Sequence, residues 1–213
     1  VTNIPLLKRI AETGKPVLLS SGMSDWAELD AAVASLKPGG PVTVMQCTSA
    51  YPCPPERAGL NVIGEMKDRY GTAVGFSDHT PGFAAAIVAA SMGAAVIEKH
   101  FTLSKKMYGS DAAHSMEPHE FKQFCEAVRE AWDMAAAPLD KNDITPYNDM
   151  KRIFEKSIVT ARPIVAGAIL ARDDLAFKKP GDGISAARYE TVIGKTVKAD
   201  LPSDHKFAED DFA

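Results

Sequence analysis

Four short apolar segments, each followed by a helical pattern, constrain the fold of this chain more than any other feature. The segments occupy residues 17–20, 42–46, 72–76 and 96–100. Short continuous apolar strands that alternate with amphipathic helices are typical of a parallel sheet buried on both faces. Each segment also ends in polar residues, which solubility alone does not require. In an α/β barrel, the loops at these strand ends build the functional face.

The segments between the strands follow the helical period. The apolar positions are Leu29, Val33 and Leu36 in the first helix, Leu60, Ile63 and Met66 in the second, and Phe121, Phe124, Val128 and Trp132 in the last. Another helix is predicted from about Gly82 to Gly93. Ser115 is the predicted N-cap of the last helix, with Pro118 in its first turn. Four strand–helix units make half of an eight-stranded barrel, so we predict an α/β fold, the C-terminal half of a TIM (β/α)8 barrel, within a longer enzyme.

The charge and the cysteine content argue against several functional classes. A net charge of −4, with 24% charged and 46% hydrophobic residues, does not suggest a nucleic-acid partner or an anionic membrane surface. Cys47, Cys53 and Cys125 lack C-x-x-C spacing, which indicates reduced thiols in a cytoplasmic protein. The sequence contains no recognisable signal peptide, and its apolar runs are too short to span a membrane.

Two histidines at consecutive strand ends are the most informative residues. Residues 77–79 (Ser-Asp-His) end the third strand, and residues 98–100 (Glu-Lys-His) end the fourth. We predict that His79 and His100 converge at one rim, where two imidazoles suit a catalytic divalent metal. A histidine at a strand end is more often a hydrogen-bonded structural residue, and this alternative stays open. The remaining histidines are interpreted as surface residues: His114, His119 and His205.

The alternation of predicted strands and helices ends at about residue 136. A Pro-, Asp- and Asn-rich stretch predicts a linker, and short β-like pieces with turns follow it. A weak repeat relates Ile164 and Asp174 to Leu201 and Asp211 at a constant offset (211 − 174 = 37). Two such half-motifs predict a pseudo-symmetric β fold. The predicted domains are a partial barrel at 1–136, a linker at 137–154 and a small β domain at 155–213.

A series of motifs resembles the N-acetylneuraminate (sialic acid) synthase family, which includes legionaminic and pseudaminic acid synthases. The motifs are KPVLLSSGM, QCTSAYPCP, GFSDHT, GAAVIEKHFTL and GSDAAHSMEP, followed in the last domain by SIVTAR, FKKPGDGIS and IGK. Together they cover nearly the whole chain in the family's order. The resemblance implies a TIM-barrel catalytic domain and a small antifreeze-like (SAF) β-clip domain. In the family this small domain reaches over the active site of the other subunit in a domain-swapped homodimer.

The resemblance also implies an activity. Family members condense phosphoenolpyruvate with an N-acetylated hexosamine, either N-acetylmannosamine or a diacetamido-dideoxy relative, in its open-chain aldehyde form. The products are phosphate and a nine-carbon sialic-acid-type 2-keto acid for surface polysaccharides, and a divalent metal such as Mn²⁺ or Mg²⁺ is required. The implied partners are the two substrates and a second subunit, with no nucleic acid and no membrane.

The family's catalytic and sugar-binding positions fall on four residues of this chain. The metal ligands correspond to His79 and His100. Asp111 and Tyr51 correspond to residues that line the sugar pocket, and Asp111 joins the two histidines as a predicted catalytic residue. The resemblance therefore predicts one cluster of all four side chains.

The family's remaining substrate contacts also have counterparts. Positions that contact phosphoenolpyruvate correspond to Ser20, Ser49 and Ser77, although other members often have Asn at the place of Ser49. Lys179 stands near an arginine that, in bacterial members, reaches the sugar from the partner's antifreeze-like domain. Lys lacks the planar fork of Arg, so the chain departs from the family's pattern at this position.

Two other functions remain open at this point. The family's phosphate-binding lysines and early strands precede the segment at which this chain begins, so we expect the chain alone to be inactive. A truncated sugar-binding or structural fragment would bind without turnover. A metal-dependent hydrolase on the same fold would need an additional carboxylate or histidine ligand, and the sequence offers no compelling one.

Overall fold

A computed structural model describes all 213 residues, Val1–Ala213. The chain forms two compact units, Val1–Pro138 and Leu139–Ala213. Each unit has a hydrophobic core made of its own residues. None of the helices combines the length and the apolar character that crossing a lipid bilayer requires.

The first unit is built on a four-stranded parallel sheet whose strand order follows the chain. The strands are β1 (Val17–Ser20), β2 (Val42–Cys47), β3 (Val74–Asp78) and β4 (Val96–Lys99). The helices are α1 (Ile4–Ala11), α2 (Trp26–Leu36), α3 (Val62–Tyr70), α4 (Ala84–Ser91) and α5 (Pro118–Ala136). A helix connects each strand to the next, as parallel pairing requires. The predicted α/β half-barrel is therefore confirmed.

One face of this sheet packs against the helices, and the opposite face is open. Leu19, Val44 and Phe76 lie in the core together with the apolar sides of the helices. Because side chains alternate along a strand, the residues between them project from the opposite face, where Leu18 is 54% exposed. We call this the open face. Near the carboxyl ends of the strands it carries Ser20, Cys47, Ser77 and Glu98.

The third strand lies slightly later in the chain than predicted. The apolar run suggested residues 72–76, whereas β3 spans Val74–Asp78. Its ladder with β4 pairs Asp78 with Lys99, so the strand includes polar residues that the apolar pattern placed outside it.

The predicted N-cap Ser115 is wrong. Helix α5 begins at Pro118, where the missing N–H is no loss, and Glu117 precedes it. The Glu117 N–H donates to the Glu120 carboxylate (2.9 Å), so a glutamate closes the first turn. The Ser115 hydroxyl instead donates to the Asp111 carbonyl oxygen (2.7 Å), which tightens the loop before the helix.

The second unit begins with helical structure that the composition did not predict. Within the predicted linker, a short 3-10 helix (Thr145–Tyr147) leads directly into α6 (Asn148–Phe154). Prolines and asparagines in this stretch suggested only irregular turns. After α6, strands β5 (Ser157–Thr160) and β6 (Leu175–Lys178) pair antiparallel.

The internal repeat predicted from the sequence organises this unit. Ile164 and Leu201 exchange reciprocal backbone hydrogen bonds, both 2.8 Å long. Asp174 accepts a hydrogen bond from the Ala171 N–H (2.9 Å), and Asp211 repeats this contact with the Ala208 N–H (2.8 Å). Equivalent residues therefore make equivalent contacts at the 37-residue offset. The predicted pseudo-symmetric β fold is confirmed.

Candidate functional site

The two predicted metal ligands lie side by side at the ends of neighbouring strands. His79 directly follows β3, and His100 directly follows β4. Because Asp78 and Lys99 are register partners, the next residues leave the sheet at the same level. The imidazole centroids are 5.1 Å apart and the ring planes meet at 79°. Both rings are partly buried, which leaves an accessible edge for a ligand.

Tyr51 covers this pair of rings. Its ring centroid lies 4.3 Å from that of His79 and 5.6 Å from that of His100, and its side chain remains half-exposed. Partial burial raises the pKa of the Tyr51 hydroxyl, so it stays protonated at neutral pH. Tyr51 can therefore donate a hydrogen bond at the open edge of the cluster.

The hydrogen bonding of His79 favours one orientation of its ring. Its Nδ1 lies 3.0 Å from the Thr48 carbonyl oxygen, and a bond between these atoms requires a proton on Nδ1. In the neutral ring, Nε2 then keeps its lone pair, the arrangement in which imidazole binds metals. The Cys47 sulfur is 3.9 Å from Nδ1, so it lies beside the nitrogen that faces away from the ligand edge. Burial also raises the pKa of this thiol, which disfavours a thiolate ligand.

Asp111 lies close to His100 without bonding to it directly. Its Oδ2 is 3.9 Å from His100 Nδ1, and its side chain is 58% exposed. No group of three or more His, Cys, Asp or Glu side chains is arranged to hold a metal ion. The donor set is therefore two imidazoles, which fits a divalent ion that completes its coordination with substrate and water oxygens. A third protein ligand, which the hydrolase alternative needs, is not found.

Ser77 is the most deeply buried of the three predicted phosphoenolpyruvate contacts. It is buried on the open face, and its hydroxyl donates to Glu98 Oε1 at 2.8 Å. Its only proton is thereby engaged, so Ser77 can donate to a phosphate only if it leaves Glu98. Ser20 and Ser49 are exposed at the ends of β1 and β2.

Lys179 belongs to the second unit. Its Nζ lies 4.5 Å from the centroid of the Phe154 ring, a cation–π contact. The Phe154 ring would therefore compete with a bound sugar for the Lys179 ammonium group. Of the histidines interpreted as surface residues, His114 and His119 are exposed, whereas His205 is partly buried and bonds to Asp211 (2.9 Å).

Sequence reasoning missed a buried ion pair directly behind the histidines. The Lys99 ammonium lies 2.8 Å from Asp78 Oδ2, and the two side chains are 3% and 0% exposed. The polar strand ends had suggested that both residues face the rim. Strand alternation was the available signal, since residues adjacent to His79 and His100 must project from the other face.

Two larger cavities border residues at the carboxyl ends of the strands. One of about 340 Å³ borders His79 and is lined further by Lys105, His114 and Gln123. The other, of about 260 Å³, borders Cys47 at the ends of β1 and β2. A much smaller cleft of about 10 Å³ borders both His79 and His100 together with Tyr51.

Comparison with known proteins shows which family the chain matches. The NeuB family model matches residues 1–138. The chain belongs to the NeuB family. The SAF domain model matches residues 155–213, so this NeuB chain also carries the small domain expected from the resemblance. The family resemblance predicted from the motifs is therefore confirmed.

Individual relatives agree with this placement. The NeuB chain is 36% identical over 213 residues to N,N'-diacetyllegionaminic acid synthase of Campylobacter jejuni, covering 98% of the chain and 64% of the relative. It is 39% identical to the uncharacterized protein MJ1065 of Methanocaldococcus jannaschii, covering 99% of the chain and 63% of the relative. The chain thus spans less than two thirds of the length of either protein.

A solved structure supports the same fold. The crystal structure of N-acetylneuraminic acid (sialic acid) synthetase from Leptospira borgpetersenii, in complex with citrate, matches with a TM-score of 0.62 at 30% identity. The match covers 70% of this NeuB chain and 55% of the other chain.

Proposed function

We propose that this chain forms part of an enzyme that condenses phosphoenolpyruvate with an N-acetylated hexosamine. The acceptor is N-acetylmannosamine or a diacetamido-dideoxy relative, and the products are a nine-carbon 2-keto acid and phosphate for surface polysaccharides. The observation that carries the proposal is the pair of imidazoles 5.1 Å apart under Tyr51, at the rim of a half-barrel. Membership of the NeuB family and the names of its relatives support the reaction class.

His79 and His100 are the residues that would hold a divalent metal such as Mn²⁺ or Mg²⁺. The Thr48 carbonyl orients His79 through Nδ1, the kind of support that metal-bound histidines usually receive. Asp111 lies 3.9 Å from His100 Nδ1, beyond a direct hydrogen bond. When bound, the metal supplies Lewis-acid polarisation of the aldehyde oxygen.

The remaining groups would position substrates and protons. Ser77, Ser20 and Ser49 supply hydroxyls on or beside the open face for the phosphate and carboxylate of phosphoenolpyruvate. Glu98 is exposed on that face. It is suited to orient the water that attacks C2 of phosphoenolpyruvate, which becomes cationic in the reaction, and to accept a proton from that water. Tyr51 and Asp111 would bind hydroxyls of the sugar.

The small domain has a separate role in this proposal. Lys179 would contact the sugar bound by a partner subunit in a domain-swapped homodimer, which requires that it release Phe154. We place the protein in the cytoplasm in this proposal, in keeping with three cysteines that form no disulfide within the chain.

Phosphate release from phosphoenolpyruvate tests the proposal. The full-length protein is assayed with N-acetylmannosamine and, separately, with a diacetamido-dideoxy hexose, in the presence of Mn²⁺. His79→Ala and His100→Ala should each lower the rate by more than about 100-fold, since even indirect supports of metal ligands contribute 10- to 100-fold. His119→Ala, an exposed histidine on α5, is the matched control and should retain wild-type activity. Full activity in either ligand variant would refute the proposed chemistry.

A further inference from the structure

Each predicted metal ligand is preceded by one member of a buried ion pair. Asp78 comes before His79 and Lys99 comes before His100, and the two pairs of residues end adjacent strands in register. Alternation sends the charged side chains to the helix side of the sheet and the imidazoles to the other side. The ion pair therefore lies directly behind the metal-binding rim.

The contacts of this pair enclose the backbone that carries His79. Asp78 Oδ2 accepts from Lys99 Nζ (2.8 Å), while its Oδ1 accepts from the Thr80 N–H (2.8 Å). The Lys99 ammonium also donates to the Thr80 carbonyl oxygen. Three hydrogen bonds thus connect Asp78, Thr80 and Lys99, and two of them join the residues on either side of His79 to the residue before His100.

Stability alone is a weak reason to retain such a pair. Removing two charges from water is costly, and replacing a buried ion pair with well-packed apolar residues is often neutral or stabilising. An apolar pair, however, has no group that binds both the N–H and the carbonyl of Thr80. The special capacity of Asp78 and Lys99 is to set the relative position of two strand ends.

We infer that Asp78 and Lys99 are positioning residues that hold His79 and His100 at the separation needed to share one divalent cation. Neither residue is a predicted metal ligand, and both side chains are almost fully buried. Their effect is transmitted through the backbone of residues 78–80 and 99–100. This inference rests on the proposed function, because it assigns a purpose to the geometry of the same site.

The test replaces both charges together, so that no unpaired buried charge remains. The variant is Asp78→Asn with Lys99→Met in the full-length protein, and Mn²⁺ affinity is measured from the electron paramagnetic resonance signal of the free ion. We expect affinity to fall by about 10- to 100-fold, the range for residues that orient metal ligands. Circular dichroism verifies that the variant is folded.

A matched control separates positioning from the mere loss of an ion pair. Asp30→Asn with Arg69→Met removes a pair between α2 and α3 (2.5 Å) and should leave Mn²⁺ affinity unchanged within twofold. If the first variant fails to fold, Asp78→Asn with Lys99→Gln keeps a donor for Thr80. This milder variant should still lower the affinity.

A second measurement works without metal. In the metal-free protein, the imidazole NMR resonances of both histidines should shift in the Asp78/Lys99 variant and stay in place in the control. Wild-type affinity together with unshifted resonances in a folded variant would overturn the inference. If the wild-type protein itself binds no Mn²⁺, the proposed function fails, and the resonances alone decide whether Asp78 and Lys99 position the rings.

Discussion

Ser77 donates its hydroxyl hydrogen to Glu98 across two neighbouring strands, with an oxygen–oxygen distance of 2.8 Å. The two residues are register partners on the open face, one buried and the other exposed. This bond connects the predicted phosphoenolpyruvate contact to the only carboxylate that the strands present on that face. Replacing Glu98 therefore tests whether this carboxylate accepts a proton in the proposed reaction.

Glu98→Gln should preserve the contact with Ser77 and remove the charge. Because the amide oxygen still accepts the hydroxyl hydrogen, the fold should be unaffected. Loss of a proton acceptor should lower the rate of phosphate release by about 10²-fold or more. Glu126→Gln, an exposed glutamate on α5, serves as the control and should behave as wild type. A Glu98→Gln enzyme with full activity would remove Glu98 from the mechanism.

Gly75→Ala should destabilise the first unit. A Cβ at this position would lie 2.2 Å from the Met45 sulfur and 2.8 Å from the Val96 carbonyl oxygen, and the backbone oxygen cannot easily move. We expect the free energy of unfolding, measured in urea, to fall by about 1–3 kcal/mol. Gly64→Ala in α3 has nothing within 4 Å of the added Cβ, so it should instead raise stability by about 0.5–1 kcal/mol.

Acid should weaken the contact between α2 and α3. Hydrogen bonds from Arg69 hold the pKa of Asp30 at about 2, below its ordinary value of 3.8. A lowered carboxyl pKa stabilises the folded state above the unfolded pKa, and this contribution is lost as the pH falls through the folded value. The free energy of unfolding should therefore be measured for wild type and for Asp30→Asn from pH 6 to pH 2. Wild type should be the more stable protein above about pH 4, and the difference should shrink below that pH. A constant difference over the whole range would contradict this account.

Asp174→Ala should destabilise the second unit. Its buried carboxylate accepts hydrogen bonds from the Ala171 N–H (2.9 Å) and from Arg162 Nε (2.8 Å). Removing the acceptor leaves the backbone donor unpaired, which should lower the free energy of unfolding by about 1–3 kcal/mol. Asp173→Ala, one residue earlier and exposed, should change it by less than about 0.5 kcal/mol. Equal effects of the two substitutions would show that the repeated aspartate contact adds nothing.

Much of the fold was readable from local patterns. The apolar segments of β1 and β4 predicted those strands to within one residue, because a short apolar run bounded by polar residues is typical of a strand. The predicted burial of the sheet on both faces is not seen, since Leu18 is 54% exposed on the open face. The 37-residue offset predicted a pseudo-symmetric β fold, and the structure pairs the equivalent residues Ile164 and Leu201. Local composition failed at α6, where a seven-residue helix lies among turn-forming residues.

The sequence by itself determined the half-barrel architecture, the repeat in the small domain and the pair of histidines at one rim. Only the tertiary structure decided that His79 meets the Thr48 carbonyl and that the ion pair of Asp78 with Lys99 lies behind the two histidines. The physical reason is distance along the chain. Periodicity depends on residues a few positions apart, whereas Asp78 and Lys99 are brought together by strand register, which is set by the packing of the whole sheet.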